Sequence, residues 1–151
     1  MKWYQVNEHP LEPMALYETV RHRNVGAVVL FIGTVREMTG SKQTELLEYE
    51  SYVPMAEKML EQIAKEVAER WPGALTAIHH RIGRLDIMEE AVVIATSSSH
   101  RADAYEANRY AIERIKEIVP IWKREHWTDG TKWMGDQKEQ HPGRPEGVTY
   151  T

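Results

Sequence analysis

A ten-residue apolar run from Gly26 to Val35 (GAVVLFIGTV) constrains this chain's fold more than any other stretch. It is rich in β-branched residues, opens at a glycine and stops at Arg36. Its length and lack of alternation predict a strand buried on both faces. Cover for such a strand is at hand. Pro54 to Trp71 reads as a helix whose stripe of Ala56, Met59, Leu60, Ile63, Val67 and Trp71 ends at Pro72-Gly73. Arg101 to Val119 predicts a second helix, closed by Pro120, and Pro13 to Arg23 a shorter one. Further strands are expected over Glu45 to Tyr52, Leu75 to Ile82 and Ala91 to Thr96. Asp129-Gly130 signals a hairpin within Ile121 to Met134. A polar loop, Arg36 to Gln43, holds Gly40, and a turn around Gly83 and Asp86 links two of the strands. This irregular alternation predicts an α+β fold: a mainly antiparallel sheet, helices packed on one face, and a C-terminal β-hairpin region.

The 151 residues fit one domain, expected over 1–134. Residues 135–151 carry Pro142, Gly143, Pro145 and Gly147 without apolar period and read as an extended or mobile tail. Formal charge is −4, from 19 basic and 23 acidic side chains, so no global basic field gathers nucleic acid and any anion site is local. The chain has no cysteine, which excludes a disulfide framework, a thiolate metal site and a cysteine nucleophile. Sulfur chemistry, if present, must arrive on another molecule. The first residues lack the apolar core of a signal peptide, and no segment approaches the ~18 apolar residues of a membrane span. A cytoplasmic protein without membrane contact is the expectation.

No phosphate-binding glycine loop, HExxH or GxSxG is present. The informative feature is where the cations fall. Arg36 ends the apolar strand and opens a loop, a place where a side chain is rigidly based yet solvent-facing; the plain alternative is a surface arginine. Ser97-Ser98-Ser99-His100-Arg101 opens the second helix, where free backbone N–H groups and two cationic-capable side chains suit an anion; the plain alternative is capping by Ser99. Lys116 lies eleven residues after Tyr105, about 20° of helical rotation, and so borders the apolar face. It is either a snorkelling lysine or a partly desolvated amine able to act on a substrate. Lys123 and Arg124, between Trp122 and Trp127, read as a stacking platform or a cation–π pair. For His79 and His80, strand alternation predicts one core histidine and one solvated. The residues alone thus give an anion site from Arg36, His100, Arg101, Lys116 and Lys123, with the ligand open. It fits an enzyme, or a non-catalytic dimeric binding module for a phosphorylated metabolite or nucleotide.

The same residues carry a resemblance. Gly26 to Arg36 with Thr39-Gly40, Leu47 to Tyr52 with Met55-Ala56, His80 to Gly83, Ser99-His100-Arg101 with Ala107, Lys116 to Glu125, and Asp129-Gly130 with Trp133 together resemble the large, catalytic subunit family of molybdopterin synthase. Met88-Glu89-Glu90 departs from it, standing where that family commonly has a Gly-Glu turn. The resemblance implies an α/β-hammerhead-like fold and a sulfurtransferase that makes the molybdopterin dithiolene from cyclic pyranopterin monophosphate. It implies a small ubiquitin-like partner carrying sulfur as a C-terminal thiocarboxylate, a homodimer within a heterotetramer, and no metal or cofactor of its own. Lys116 and Lys123 take catalytic roles in it; Arg36, His100, Arg101 and Phe31 bind substrate.

Helix geometry adds one constraint. Arg101 and Lys116 are fifteen residues apart on one expected helix, about 22 Å along its axis. If both serve one pocket, a two-fold dimer with composite sites is the simplest arrangement.

Overall fold

The computed structural model describes residues 2–136. Twelve elements follow in order among them: β1 (Tyr4–Asn7), α1 (Pro13–Val20), β2 (Ala27–Thr34), β3 (Met38–Thr39), β4 (Lys42–Ser51), α2 (Val53–Arg70), β5 (Leu75–Arg81), β6 (Gly83–Asp86), β7 (Glu90–Ser98), α3 (Arg101–Ile118), β8 (Ile121–Trp127) and β9 (Lys132–Asp136). They form two sheets. One has the order β1-β5-β7-β2 and is antiparallel except for β1 beside β5. The other is antiparallel, with order β3-β4-β8-β9 and β6 also paired to β4. The α+β class and the antiparallel bias are as expected.

Helices cover both faces of the first sheet, not one. Along β7, Val92 and Ile94 turn to α2 and α3, meeting Ala56, Leu60, Ile63, Ala111 and Ile115. Val93 and Ala95 point the other way, onto Leu16 and Val20 of α1. Residues 91–98 are therefore all buried. Each large aliphatic side chain so enclosed contributes about 1.5–3 kcal/mol.

The long apolar run holds a different place from the one its composition implies. β2 is an edge strand, paired only with β7, and its residues are half-buried; Ile32 is 41% exposed. The doubly covered strand is the shorter apolar run of β7. Asn108, fully inside α3, fastens β2 to β7 through its amide, which donates to the Val29 and Ile94 carbonyls (3.2 and 3.1 Å) and the Thr96 hydroxyl (3.2 Å).

Two expected connections are structured. The polar loop from Arg36 becomes a tight hairpin, Met38 and Thr39 pairing with Gln43 and Lys42 around Gly40 at φ 62°. The link after Ile82 holds β6, whose Gly83 lies opposite Tyr49. The Asp129-Gly130 hairpin joins β8 to β9 as expected, and β9 takes in Gly135 and Asp136, the first two residues of the anticipated tail. The remainder of that tail, 137–151, lies outside the described residues.

Candidate active site

The site grows from the alternation of β8. Ile121, Lys123, Glu125 and Trp127 point inward, while Trp122, 47% exposed, points out. Lys123 is thereby placed over the ring of Trp133, its Nζ 5.5 Å from the centroid. Of the two readings of Trp122 and Trp127, a joint stacking platform does not form, because the two rings lie on opposite faces of β8; Trp127 instead takes a cation–π contact from Lys42 at 4.8 Å. Burial pushes the Lys123 ammonium below the usual lysine range. The Glu125 carboxylate opposes that shift, and the positive charges of Lys116 and Arg36 add to it. These last two influences bring Lys116 and Arg36 within electrostatic reach of Lys123.

Each arrives from a different element. Lys116 is exposed in the last turn of α3, just before the chain turns into β8. Arg36 follows β2, where a two-bond clasp holds its neighbour Val35: the Val35 N–H donates to the Glu89 carbonyl (3.0 Å) and the Met88 N–H to the Val35 carbonyl (2.8 Å). Met88 turns there at φ 77°, a left-handed conformation that glycine adopts more readily. The segment that departs from the family pattern is thus a tight turn, and it holds the residue before Arg36. Phe31, on β2 opposite Ile94, packs on the same core cluster as Tyr49.

His100 and Arg101 stand apart. His100 is the extended N-cap of α3 and Arg101 its first residue, with no side-chain capping bond. Capping by Ser99 therefore does not occur. Lys116 shares this helix, so within one chain the two ends are separated by about 22 Å along the axis.

Several residues that single-residue reading passed over build the inner wall. Tyr49 faces Lys123 across the β4–β8 ladder, and burial, then the Glu125 charge, push its phenol up to about 12. Glu125 is 2% exposed and accepts hydrogen bonds from the Thr39 and Thr44 hydroxyls. Counting alternate residues from Ile121 would have found Glu125 as an inward carboxylate beside Lys123. The two adjacent histidines are both buried, correcting the expectation of one solvated. His79 Nε2 lies 2.7 Å from the Lys2 carbonyl, and His80 Nδ1 2.8 Å from the Arg81 carbonyl. The His80 ring meets Tyr49 edge-on at 5.1 Å. Among the described residues no group of three or more His, Asp or Glu is arranged to hold a metal, and no helix is long and apolar enough to cross a membrane.

This cation cluster at the junction of β2, α3 and β8 can be set against known proteins. The family model described as MoaE protein matches residues 6–118. The chain belongs to the MoaE protein family. Its relatives in that family include the molybdopterin synthase catalytic subunit of Halalkalibacterium halodurans, 58% identical over 147 residues that span 97% of this chain and 94% of that protein. The Bacillus subtilis subunit of the same name is 57% identical over 139 residues, 92% of this chain and 88% of its own length. Among solved MoaE-like structures, the crystal structure of molybdopterin synthase from Staphylococcus aureus superposes with a TM-score of 0.86 at 56% identity, covering 89% of this chain and 98% of that one. Arg36, His100, Arg101 and Lys116 all lie within the matched MoaE segment, whereas Lys123 lies just past its end.

Proposed function

We propose that this chain is the catalytic subunit of a cytoplasmic molybdopterin synthase. In that role it moves sulfur from the C-terminal thiocarboxylate of a small ubiquitin-like carrier to cyclic pyranopterin monophosphate. The observation that carries the reading is the convergence of Lys116 and Arg36 on a half-buried Lys123. The relatives named molybdopterin synthase catalytic subunit supply the reaction.

The chemistry divides along the geometry. The carrier's thiocarboxylate sulfur bonds to a carbon of the substrate as a C–O bond of that carbon breaks, its oxygen leaving as water or on the phosphate, which gives a thioester between carrier and pterin. Water then adds to the acyl carbon, and the tetrahedral adduct collapses, leaving sulfur on the pterin and a carboxylate on the carrier. Lys123, whose pKa burial lowers, takes the proton of that water. Lys116 places a fixed positive charge where the adduct's oxygen becomes an anion. Arg36, with Phe31 behind it on β2, holds the substrate beside these lysines, and its phosphate takes charge-assisted bonds from His100 and Arg101.

Because α3 separates its own Arg101 from its own Lys116, we assign His100 and Arg101 to the site of a second copy of this chain. The half-exposed apolar edge strand β2, with Ile32 uncovered, supports such a pairing. The test is complementation. Arg101→Ala and Lys116→Ala proteins, each inactive alone, are mixed, allowed to exchange subunits and assayed for dithiolene product. Recovery toward a quarter of wild-type specific activity, roughly the statistical share of intact sites in mixed dimers, is expected. No recovery despite verified exchange would place each pocket within one chain.

A further inference from the structure

The turn that carries His100 and Arg101 is set by a contact from the opposite end of the apolar run. Gly26, the residue before β2, donates its N–H to the Ser98 carbonyl at 3.1 Å. A Cβ built on Gly26 would stand 2.2 Å from the Ser99 carbonyl oxygen and 3.3 Å from its carbon. The obstacle is backbone, so no side chain can swing aside; the turn itself would have to move by roughly an ångström to restore ordinary contact. Gly26 is exposed and fills no part of the core, and its backbone does not lie in the left-handed region. Neither packing volume nor conformational freedom therefore requires a glycine here. Close approach does.

What the approach fixes is the start of α3. Ser98 ends β7, opposite Ala27 in the β2–β7 ladder, and Ser99 leads directly into the extended N-cap His100 and then Arg101. The α3 N-terminus has no side-chain cap of its own to hold this turn. The strand entering at Gly26 packs against it in place of one.

We propose that Gly26 is a positioning residue for the phosphate-binding pair His100 and Arg101, and that it acts on the site of the neighbouring subunit. This rests on the composite-site reading above. A side chain at 26 shifts the turn while leaving Lys116, Lys123 and Arg36 of the same chain in place. Misplacing a binding group by about an ångström weakens its charge-assisted bonds, so Gly26→Ala should raise KM for cyclic pyranopterin monophosphate about tenfold or more with a smaller change in kcat.

The experiment uses differently tagged chains, co-expressed and purified as mixed dimers, with carrier present and substrate held below the wild-type KM. Gly26→Ala paired with Lys116→Ala should recover activity, since one site then joins an intact turn to intact lysines. Gly26→Ala paired with Arg101→Ala should not, because both turns are damaged. Arg101→Ala paired with Lys116→Ala is the control for the composite site. Recovery in the control, with Gly26→Ala rescued by Arg101→Ala or by neither partner, overturns the assignment. A Gly26→Ala chain that yields no soluble mixed dimer makes Gly26 a folding residue and also overturns it. Should the control itself fail, the composite reading falls, and the kinetics of Gly26→Ala alone decide its role: a raised KM with kcat retained upholds positioning within one chain, and an unchanged KM refutes it.

Discussion

Lys123 stands directly across from Tyr49 in the β4–β8 ladder, with the buried Glu125 two residues along on the same face. A lysine, a phenol and a carboxylate thus line one wall, and the phenol, pushed up to about 12, stays neutral beside them. Glu125 is the one carboxylate of this wall, while Lys116 and Arg36 bring positive charge from outside it.

The first consequence is a pH dependence. Lys123 titrates below the usual lysine value of about 10.4, so single-turnover product release should rise with pH through that lowered pKa. Removing a neighbouring cation by Arg36→Gln lets Lys123 hold its proton more tightly, which moves the rising limb to higher pH. Glu125→Gln removes the opposing charge and moves it lower. A limb that stays in place in both variants would separate Lys123 from the proton transfer.

Lys116→Ala should reduce turnover by two orders of magnitude or more, about 2.7 kcal/mol of transition-state stabilisation, with carrier affinity nearly unchanged by calorimetry. Wild-type turnover in this variant would make Lys116 an ordinary snorkelling lysine at the end of α3.

Buried His80 predicts a specific acid sensitivity. Burial lowers its pKa to about 4, whereas an unfolded histidine titrates near ~6.5. Between those values the unfolded chain binds the extra proton, so stability falls as pH drops across the window. His80→Phe keeps a ring against Tyr49 and removes the proton uptake. Urea midpoints at about pH 7 and about pH 5 should therefore differ less in the variant than in wild type, with a residual slope from His79, also lowered by burial. An equal loss in both proteins would contradict the assignment.

Met88→Gly relieves a left-handed methionine at 82% exposure, where no packing is lost. The variant should be more stable by about 0.5–1 kcal/mol, read as a raised Tm. A lower Tm would mean that the Met88 side chain contributes contacts that outweigh its backbone strain.

Much of this was legible in the residues, and what was not has physical causes. The α2 stripe and the Asp129-Gly130 turn read directly, because helical spacing and turn chemistry are local. Arg36 and Lys116 could be picked out from their places at element ends, and Lys123 from its place between Trp122 and Trp127. That β2 is an edge strand could not, since an apolar run tells how much surface wants covering and not whether this chain supplies the cover. For the same reason His79 and His80 were misjudged: alternation assigns faces, but α1 and α2 close both. Glu125 was readable by counting along β8, yet it looks like a surface charge until Thr39 and Thr44 are folded onto it. The approach of Gly26 to Ser99 joins residues far apart in sequence and leaves no local trace.

The most direct test of the central claim is a single-turnover reaction of the purified wild-type chain with thiocarboxylated carrier and cyclic pyranopterin monophosphate, followed for dithiolene product and for carrier converted to carboxylate. A sulfurtransferase yields both, two carriers consumed for each dithiolene formed. Binding of the pterin phosphate with neither dithiolene nor carrier turnover would contradict it and identify the chain as a binding module for a phosphorylated metabolite.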